Sequence, residues 1–427
     1  MDLTIERFDL SFEVREPNTR RDTPEGAPFP TDFPFVVDDD TQAVVEPLAL
    51  HLASKFNCDA AYRGALWTKA NSANAAAADL KAWWTFLHGH ASFVAWDMVS
   101  DRTLASYIKV LQRGVSEKTG DNLDPGTVRR HCASIDAFND FARRTWPQGT
   151  FPAMDAAKIL AGFSGAQKRH ATDEAPRPLS EEKVRAVNAA LGPVPTIRKA
   201  KQSSRSRLAF ALAVQVGLRI DEIVNLKANT FQQMKVAPEH RMKATKLRIT
   251  KTKGLVARDV FFPNWLVLEL QAYIAGERAE SEARGLALWK GPRPENLLLN
   301  RPDARGRNPG KEATADSIED DFNKAVVGLG YLDPKPILVG TAKETEVDRP
   351  QHVFHDGRHT YAHWTFAGLL EQGRKPEAAW LLLRNRLGHR HVKTTIDTYL
   401  KAFSEGDETV VDLLVEHLAK LAAEANP

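Results

Sequence analysis

The sequence predicts a mainly α-helical protein with a small β-sheet, divided into two lobes. Apolar residues recur at helical intervals along most of the chain, and residues 246–263 alternate as in a β-hairpin. A chain of 427 residues exceeds what one hydrophobic core usually serves, so we expect two or three domains. A polar stretch with Pro176 and Pro178 lies between the halves, and we predict a linker over residues 165–178.

Residues 1–49 are predicted to form an irregular acidic N-terminal extension. The first 50 residues carry 4 arginines against 12 aspartates and glutamates, whereas the remainder carries 54 basic and 43 acidic residues. Five prolines between residues 17 and 34 interrupt regular structure, although the alternation from Asp2 to Glu13 favours a short strand. We expect a loose arm or solvated tail on a basic body that suits a polyanionic partner.

Residues 50–164 are predicted to form a helical domain of about four helices. Apolar side chains follow helical spacing over residues 72–87, 96–111 and 127–141. The pair Pro125-Gly126 precedes the third stretch and is a typical start signal for a helix. Such a domain buries the apolar stripes of its helices against one another.

Residues 179–405 are predicted to form a second domain, followed by an amphipathic tail helix in residues 406–427. Residues 205–216 are strongly apolar from Leu208 onward and indicate a buried helix, which Gly217 ends. Further helices are expected over residues 265–284, 313–328, from His355, from Pro376 to Leu387, and over 392–402, with a long loop at 332–349.

Four short motifs in this second domain carry the chemistry. They are Gly217-Leu218-Arg219, His355-x-x-Arg358, Leu387-Gly388-His389 and a tyrosine, Tyr399, ten residues after the last histidine. Arginine presents a fixed fork of donors to phosphate oxygens, and histidine moves protons near neutral pH. A tyrosine oxygen can attack and form a covalent intermediate. Together these residue types indicate phosphoryl transfer to a tyrosine.

The same set, in the same order, resembles the tyrosine recombinases, the site-specific recombinases of the phage-integrase type. The resemblance extends over about residues 179–402, is looser over 50–146 and does not include 1–49. It implies a two-lobed DNA clamp, with a core-binding domain in residues 50–164 and an α+β catalytic domain in residues 179–405. It also implies a cytoplasmic enzyme of a phage or other mobile element, which cuts and rejoins DNA through a 3′-phosphotyrosine.

The resemblance assigns roles to individual residues. Tyr399 is the expected nucleophile, and Arg219 and Arg358 are expected to bracket the phosphate. His389 is expected to donate a hydrogen bond to the phosphate, and His355 to take the tyrosine proton. A lysine at the tip of the hairpin is expected to protonate the leaving oxygen: Lys253 matches best, and Lys251 is the second candidate.

The implied partners are double-stranded DNA recombination sites bound by a homotetramer, with an accessory directionality protein as a possible addition. Lys69, Arg129, Arg130 and Arg143 are candidate phosphate contacts in the first domain. The alternative for each is a solvated helix face. The positive charge of two arginines and a lysine leaves no need for a metal ion, and no cofactor is implied.

Composition and spacing exclude several other classes. The two cysteines, Cys58 and Cys132, lack metal-like spacing and favour a reducing compartment. No apolar run reaches the ~20 residues of a membrane span, and no secretory signal is visible. His389 and His391 are spaced like a pair of metal ligands, but neighbouring carboxylates or thiolates to complete a site are missing from the sequence.

The sequence departs from the family pattern at two points. The tyrosine stands ten residues after His389, where nine is common, and Gly357 occupies a position that is usually leucine.

Two alternative functions stay open. A type IB topoisomerase or a telomere resolvase would use the same chemistry for another purpose. A DNA-binding relative without catalytic activity is the alternative from a different class.

Overall fold

A computed structural model of the chain describes residues 12–15, 33–38, 41–56, 70–89, 94–114, 123, 125–153, 177–196, 202–250, 257–289, 292–306, 308–339, 343–389, 391–393 and 395–396. Within these ranges the protein is mainly helical, with three two-stranded β-sheets. The predicted class of a mainly α protein with little β-structure is therefore confirmed. Most of the linker and all of the tail helix lie outside the described residues, as do Lys69, Lys251, Lys253 and Tyr399.

The chain divides into two units, of which the first contains residues up to Glu174 together with Ile337–Thr345. Its elements up to residue 174 are β1 (Phe12–Arg15), β2 (Phe35–Asp38), α1 (Glu46–Phe56), α2 (Ala70–Gly89), α3 (Asp101–Arg113) and α4 (Pro125–Thr145). Trp83, Tyr107 and Phe138 are buried in its core, where the Trp83 and Tyr107 rings meet edge to face at 5.0 Å. The apolar spacing that predicted helices in this region therefore marks the packed faces.

Residues 33–49 differ from the loose extension that we expected for residues 1–49. Strand β2 pairs with β1 in antiparallel register, and Phe33, Val36 and Leu48 are fully buried in the core of the first unit. Helix α1 already begins at Glu46. The apolar run from Phe33 to Val37 explains the difference, because burying such a run offsets the entropy of ordering a short segment.

The second unit contains residues 175–336 and 346–427. Its helices are α5 (Glu181–Leu191), α6 (Arg205–Val216), α7 (Ile220–Val224), α8 (Ala228–Gln232), α9 (Asn264–Tyr273), α10 (Ala279–Trp289), α11 (Ala315–Gly328), α12 (Asp356–Glu371) and α13 (Pro376–Leu387). Its strands are β3 (Ala244–Ile249), β4 (Arg258–Pro263), β5 (Leu332–Val339) and β6 (Lys343–Pro350), the last two extending into the segment grouped with the first unit. A π-helical turn, Ile274–Arg278, joins α9 to α10.

Helix α6 is the central element of the second unit. It packs against α5, α7, α11 and α12 and against strand β4, which is why ten of its twelve residues are buried. It ends at Gly217, whose left-handed φ of 73° closes the helix as predicted. Gly357 on α12 lies against it: a Cβ built there would meet Phe210 at 3.0 Å and Ala213 at 3.2 Å. The absence of a side chain at Gly357 therefore lets α12 approach α6 closely.

The predicted hairpin is formed by β3 and β4, with register from Ala244 opposite Pro263 to Ile249 opposite Arg258. Residues of β4 alternate in burial, so that Arg258, Val260 and Phe262 face inward. An arginine on the buried face of a strand requires a partner there.

The expected loop at residues 332–349 is instead the strand pair β5 and β6. The prediction of a loop was wrong, since Pro334 and Pro336 lie within β5. In a two-stranded sheet each strand has one free edge, where a residue without an N–H is tolerated.

Candidate active site

Arg219 is held at the junction of two helices. It follows the turn at Gly217 and serves as the N-cap of α7, with extended φ and ψ of −77° and 154°. Its backbone N–H donates to Glu222 Oε2 at 2.9 Å, and its Nη1 lies 3.5 Å from Glu222 Oε1. Glu222 thus caps the helix start in the manner of a capping box and fixes the backbone that carries Arg219.

Arg358 joins the ends of two helices. It lies in the first turn of α12 and is only 1% exposed. Its Nη1 donates to the carbonyl of Gly217, and its Nη2 donates to the carbonyl of Leu387 at 2.6 Å. Both acceptors stand at helix C-termini, where unpaired carbonyls favour a cation. The turn before Arg219 and the turn before His389 are therefore bound to the same guanidinium.

His389 follows Gly388, which ends α13 with a left-handed φ of 69°. Its Nδ1 lies 2.9 Å from the hydroxyl of the fully buried Thr395. Burial, followed by the charges of Arg358, Arg219 and Arg258, lowers the pKa of His389 from 6.5 to about 3. The ring is neutral at physiological pH, and in the tautomer in which Nδ1 accepts from the Thr395 hydroxyl its proton resides on Nε2. A neutral imidazole can still donate one hydrogen bond to a phosphate oxygen.

Arg358 donates to the carbonyls of Gly217 and Leu387, so it joins the turns that lead into Arg219 and His389, and Arg258 Nε donates to the carbonyl of Arg386 in the second turn. Arg219, Arg258 and Arg358 come from the N-cap of α7, from β4 and from α12. Of the six residues that the sequence singled out for catalysis, the structure therefore brings Arg219, Arg358 and His389 together. It does not describe Lys253 or Tyr399.

His355 and Arg358 lie three residues apart at the start of α12 and differ in burial. The helix begins at Asp356, so His355 is the residue before it, and its side chain is exposed while Arg358 is buried. The His355 ring meets the His359 ring edge to face at 4.7 Å. His359 is one of the groups that lower the pKa of His389.

Arg258 and Glu222 are the site residues that sequence reasoning missed. Arg258 Nη1 and Nη2 each donate at 2.6 Å to a different oxygen of Glu222, and both side chains are 2% exposed. Burial alone would raise the pKa of Glu222, but the hydrogen bonds and charge of Arg258 reverse the effect and the pKa is lowered. The signal for Arg258 was its inward register with Val260 and Phe262 on β4.

A basic cleft of about 520 Å³ opens beside His389. Its walls come from β3, β4 and the end of α13 and include Arg248, Arg384 and Arg386. The Arg386 guanidinium lies 5.5 Å from the centre of the half-exposed Phe261 ring. Guanidinium groups and an accessible aromatic face are features that suit a nucleic acid backbone and its bases.

The candidate DNA contacts of the first unit have partners of their own in two cases. Arg130 Nη1 lies 2.8 Å from the buried carboxylate of Asp79, and Arg143 donates to the carbonyl of Phe151 and pairs with Asp140. Arg129 is exposed on the same helix, α4. Arg130 and Arg143 thus have structural roles beside any contact with a ligand.

The described residues contain no cluster of three or more His, Cys, Asp or Glu side chains arranged to hold a metal ion. Within the same ranges, none of the helices has both the length and the apolar character that crossing a membrane requires.

Neither a protein-family model nor a curated protein matches the chain. Among solved structures, the crystal structure of XerA recombinase is similar at 15% sequence identity and a TM-score of 0.34, with 87% of this chain and 98% of that chain covered. A likeness at that level transfers neither fold nor activity, so function is argued from the site residues.

Proposed function

We propose that this protein cuts and rejoins double-stranded DNA through a covalent phosphotyrosine, as a site-specific recombinase of the tyrosine type. The observation that supports the proposal is that Arg358 bonds the carbonyls of Gly217 and Leu387, which lie two residues before Arg219 and two residues before His389. Two arginines and a neutral histidine held close together suit a phosphodiester whose charge grows in the transition state.

Arg219 and Arg358 supply donors to the non-bridging oxygens of the phosphate. Arg358 is fixed by two helix-end carbonyls before any substrate arrives, so its orientation costs nothing at the moment of reaction. His389 adds a hydrogen bond from Nε2. Loss of one such donor typically costs about 3–4 kcal/mol of transition-state stabilisation, or ~100–1000-fold in rate.

Tyr399 is the proposed nucleophile. Its phenol oxygen forms a bond to phosphorus as the bond from phosphorus to the 5′ oxygen breaks, leaving a 3′-phosphotyrosine and a free 5′-hydroxyl. A free phenol has a pKa of about 10, so forming the phenolate at neutral pH costs about 4 kcal/mol. His355 accepts that proton, and Lys253, or Lys251 in its place, protonates the departing 5′ oxygen. Attack by a second 5′-hydroxyl reverses the step, and one phosphodiester replaces another.

The proposal extends to the whole chain as a two-lobed clamp on DNA. The first unit, with Lys69, Arg129, Arg130 and Arg143, binds phosphates on one face of the duplex, and the basic cleft beside His389 takes the strand near the cut. The resemblance to tyrosine recombinases adds a tetramer on two sites, an accessory directionality protein and DNA of a mobile element.

Covalent trapping tests this function. Wild-type protein is incubated with a pool of nicked duplexes with a randomised core, in which the small leaving strand diffuses away and the covalent complex accumulates. The expected result is a band that survives SDS for the wild type and none for Tyr399→Phe. Tyr331→Phe, which removes a hydroxyl elsewhere in the second unit, is the matched control and should trap as well as the wild type.

The other outcomes separate the alternatives. Trapping by Tyr399→Phe would eliminate Tyr399 as the nucleophile. DNA binding without trapping by either protein would favour an inert DNA-binding protein. Relaxation of supercoiled plasmids of unrelated sequence would favour a topoisomerase, since a recombinase requires its own site.

A further inference from the structure

We infer that Arg258 is a positioning residue that fixes Arg219 and His389 relative to each other. It acts through Glu222 on one side and through the end of α13 on the other. This inference rests on the proposed function for its catalytic consequence, but its structural part can be tested without DNA.

The first link runs from Arg258 to Arg219. Both terminal nitrogens of Arg258 donate to Glu222 at 2.6 Å, and the same carboxylate accepts the backbone N–H of Arg219 at 2.9 Å. A two-pronged arginine–carboxylate pair fixes angle as well as distance. The backbone of Arg219 is therefore oriented by a carboxylate whose own orientation Arg258 sets.

The second link runs from Arg258 to His389. Its Nε donates to the carbonyl of Arg386 at 2.8 Å, at the end of α13. Gly388 packs directly on the Arg258 side chain, since a Cβ built at Gly388 would stand 2.8 Å from Arg258 Cδ. One rigid side chain thus contacts both residues 386 and 388, which lead into His389.

Arg358 spans the same two turns from the other side, through the carbonyls of Gly217 and Leu387. Two buried guanidinium groups therefore cross-link the segment that carries Arg219 to the segment that carries His389. They have different tasks: both terminal nitrogens of Arg258 donate to the Glu222 carboxylate, which offsets its charge, whereas the acceptors at Gly217 and Leu387 are carbonyl oxygens, which carry no net charge to offset that of Arg358. Arg258 is suited to holding the site rather than to contacting a substrate.

Stability alone does not explain this ion pair. Burying two charges costs desolvation energy that their attraction only about repays, and well-packed apolar residues often serve as well. The arrangement does fix orientation, because the three nitrogens of one planar guanidinium hold three acceptors in place at once. Lysine keeps the charge but has a single nitrogen, so Arg258→Lys should lose the geometry while keeping most of the electrostatic effect.

The test compares Arg258→Lys with Arg207→Lys. Arg207 also pairs with a largely buried glutamate in the second unit, Glu269, at 2.8 Å, so its loss controls for damage to a buried ion pair as such. The imidazole NMR signals of His389 are recorded for the folded full-length proteins, alongside the midpoint of urea unfolding and the rate of covalent trapping on nicked DNA.

We expect both variants to unfold at lower urea concentration. Only Arg258→Lys should shift the His389 NMR signals, and only this variant should slow covalent trapping by more than tenfold. Glu222→Gln should move the same signals, and the double variant should add little to either single change because both break one pair. Unchanged His389 signals in folded Arg258→Lys would overturn the inference. If the wild type does not trap DNA, the proposed function fails, and the NMR comparison still decides the role of Arg258.

Discussion

Gly217 lies directly against the ring of Tyr361: a Cβ built on Gly217 would stand 2.4 Å from Tyr361 Cδ1. This contact joins the end of α6 to α12, two residues before Arg219. Gly217 also has a φ of 73°, which side chains rarely adopt. The residue that stops α6 is therefore doubly restricted to glycine, by its backbone and by its neighbour.

Gly217→Ala should destabilise the second unit more than its backbone angle alone explains. The left-handed conformation costs roughly 1–2 kcal/mol for alanine, and overpacking against Tyr361 adds about 1–3 kcal/mol. Gly330→Ala is the matched control, because Gly330 has the same φ of 73° and open space where a Cβ would stand. Urea denaturation measures both, and equal losses of unfolding free energy would contradict the role of the Tyr361 contact.

Gly357→Leu should be strongly destabilising. A side chain at this position enters the interface where Phe210 and Ala213 of α6 already lie 3.0 and 3.2 Å from the Cβ position. We expect a loss of about 3 kcal/mol or more in unfolding free energy, read from urea unfolding.

A double-variant cycle checks the cause of that loss. Phe210→Ala alone removes a fully buried ring and should cost about 3–5 kcal/mol. Combined with Gly357→Leu, it should cost less than the sum of the two, because the leucine fills the vacated space. Additive losses would mean that the two residues do not compete for one volume.

Much of the fold could be predicted from local pattern. The helix over residues 205–216, its end at Gly217 and the hairpin around residues 246–263 are confirmed, because each depends on apolar spacing or on a glycine with positive φ. Strand β2 and the pair of β5 and β6 were missed. Their short or proline-containing sequences become strands through pairing, which local pattern does not encode.

The site was predictable in part for similar reasons. Motif order indicated Arg219, Arg358 and His389, and Arg358 bonds the carbonyls of Gly217 and Leu387 in the turns before the other two residues. His355 has helical backbone angles and lies exposed at the start of α12, so its catalytic role stays a prediction. The pairing of Arg258 with Glu222 spans 36 residues and two elements, and neither residue reveals its partner in sequence.

His389 should remain neutral throughout the physiological pH range. Its pKa is lowered to about 3, first by burial and then by three neighbouring arginines. Its ring signals in NMR, assigned by their loss in His389→Gln, should not titrate between pH 5 and pH 8. The same histidine in urea-unfolded protein should titrate near its ordinary pKa of about 6.5. A titration midpoint above pH 5 for His389 in the folded protein would show that burial and the neighbouring arginines do not keep its ring neutral.

His51 should make the first unit sensitive to acid. It lies on α1 and is 2% exposed between the rings of Phe138 and Phe141, and both ring nitrogens lack hydrogen-bond partners among the described residues. Burial, followed by the charges of Lys55 and Arg144, lowers its pKa from 6.5 to about 4. Between these two values the unfolded chain binds a proton that the folded chain does not, so this residue reduces stability as pH falls from 6.5 towards 4.

His51→Leu should therefore lose less unfolding free energy between pH 7.5 and pH 5 than the wild type does, by about 2 kcal/mol. Two other groups contribute to the pH dependence of stability that remains in the variant. Burial lowers the pKa of His131 to about 4, so His131 acts in the same direction as His51. Burial raises the pKa of Asp79 to about 6, so Asp79 acts in the opposite direction. Urea unfolding followed by tryptophan fluorescence at the two pH values measures the difference, since Trp83 and Trp84 lie in the same core. An equal loss in wild type and variant would show that His51 is protonated as readily in the folded protein as in the unfolded chain. In that case the aromatic cage of Phe138 and Phe141 would have to admit water to the ring nitrogens, and hydrogen exchange along α1 would be fast.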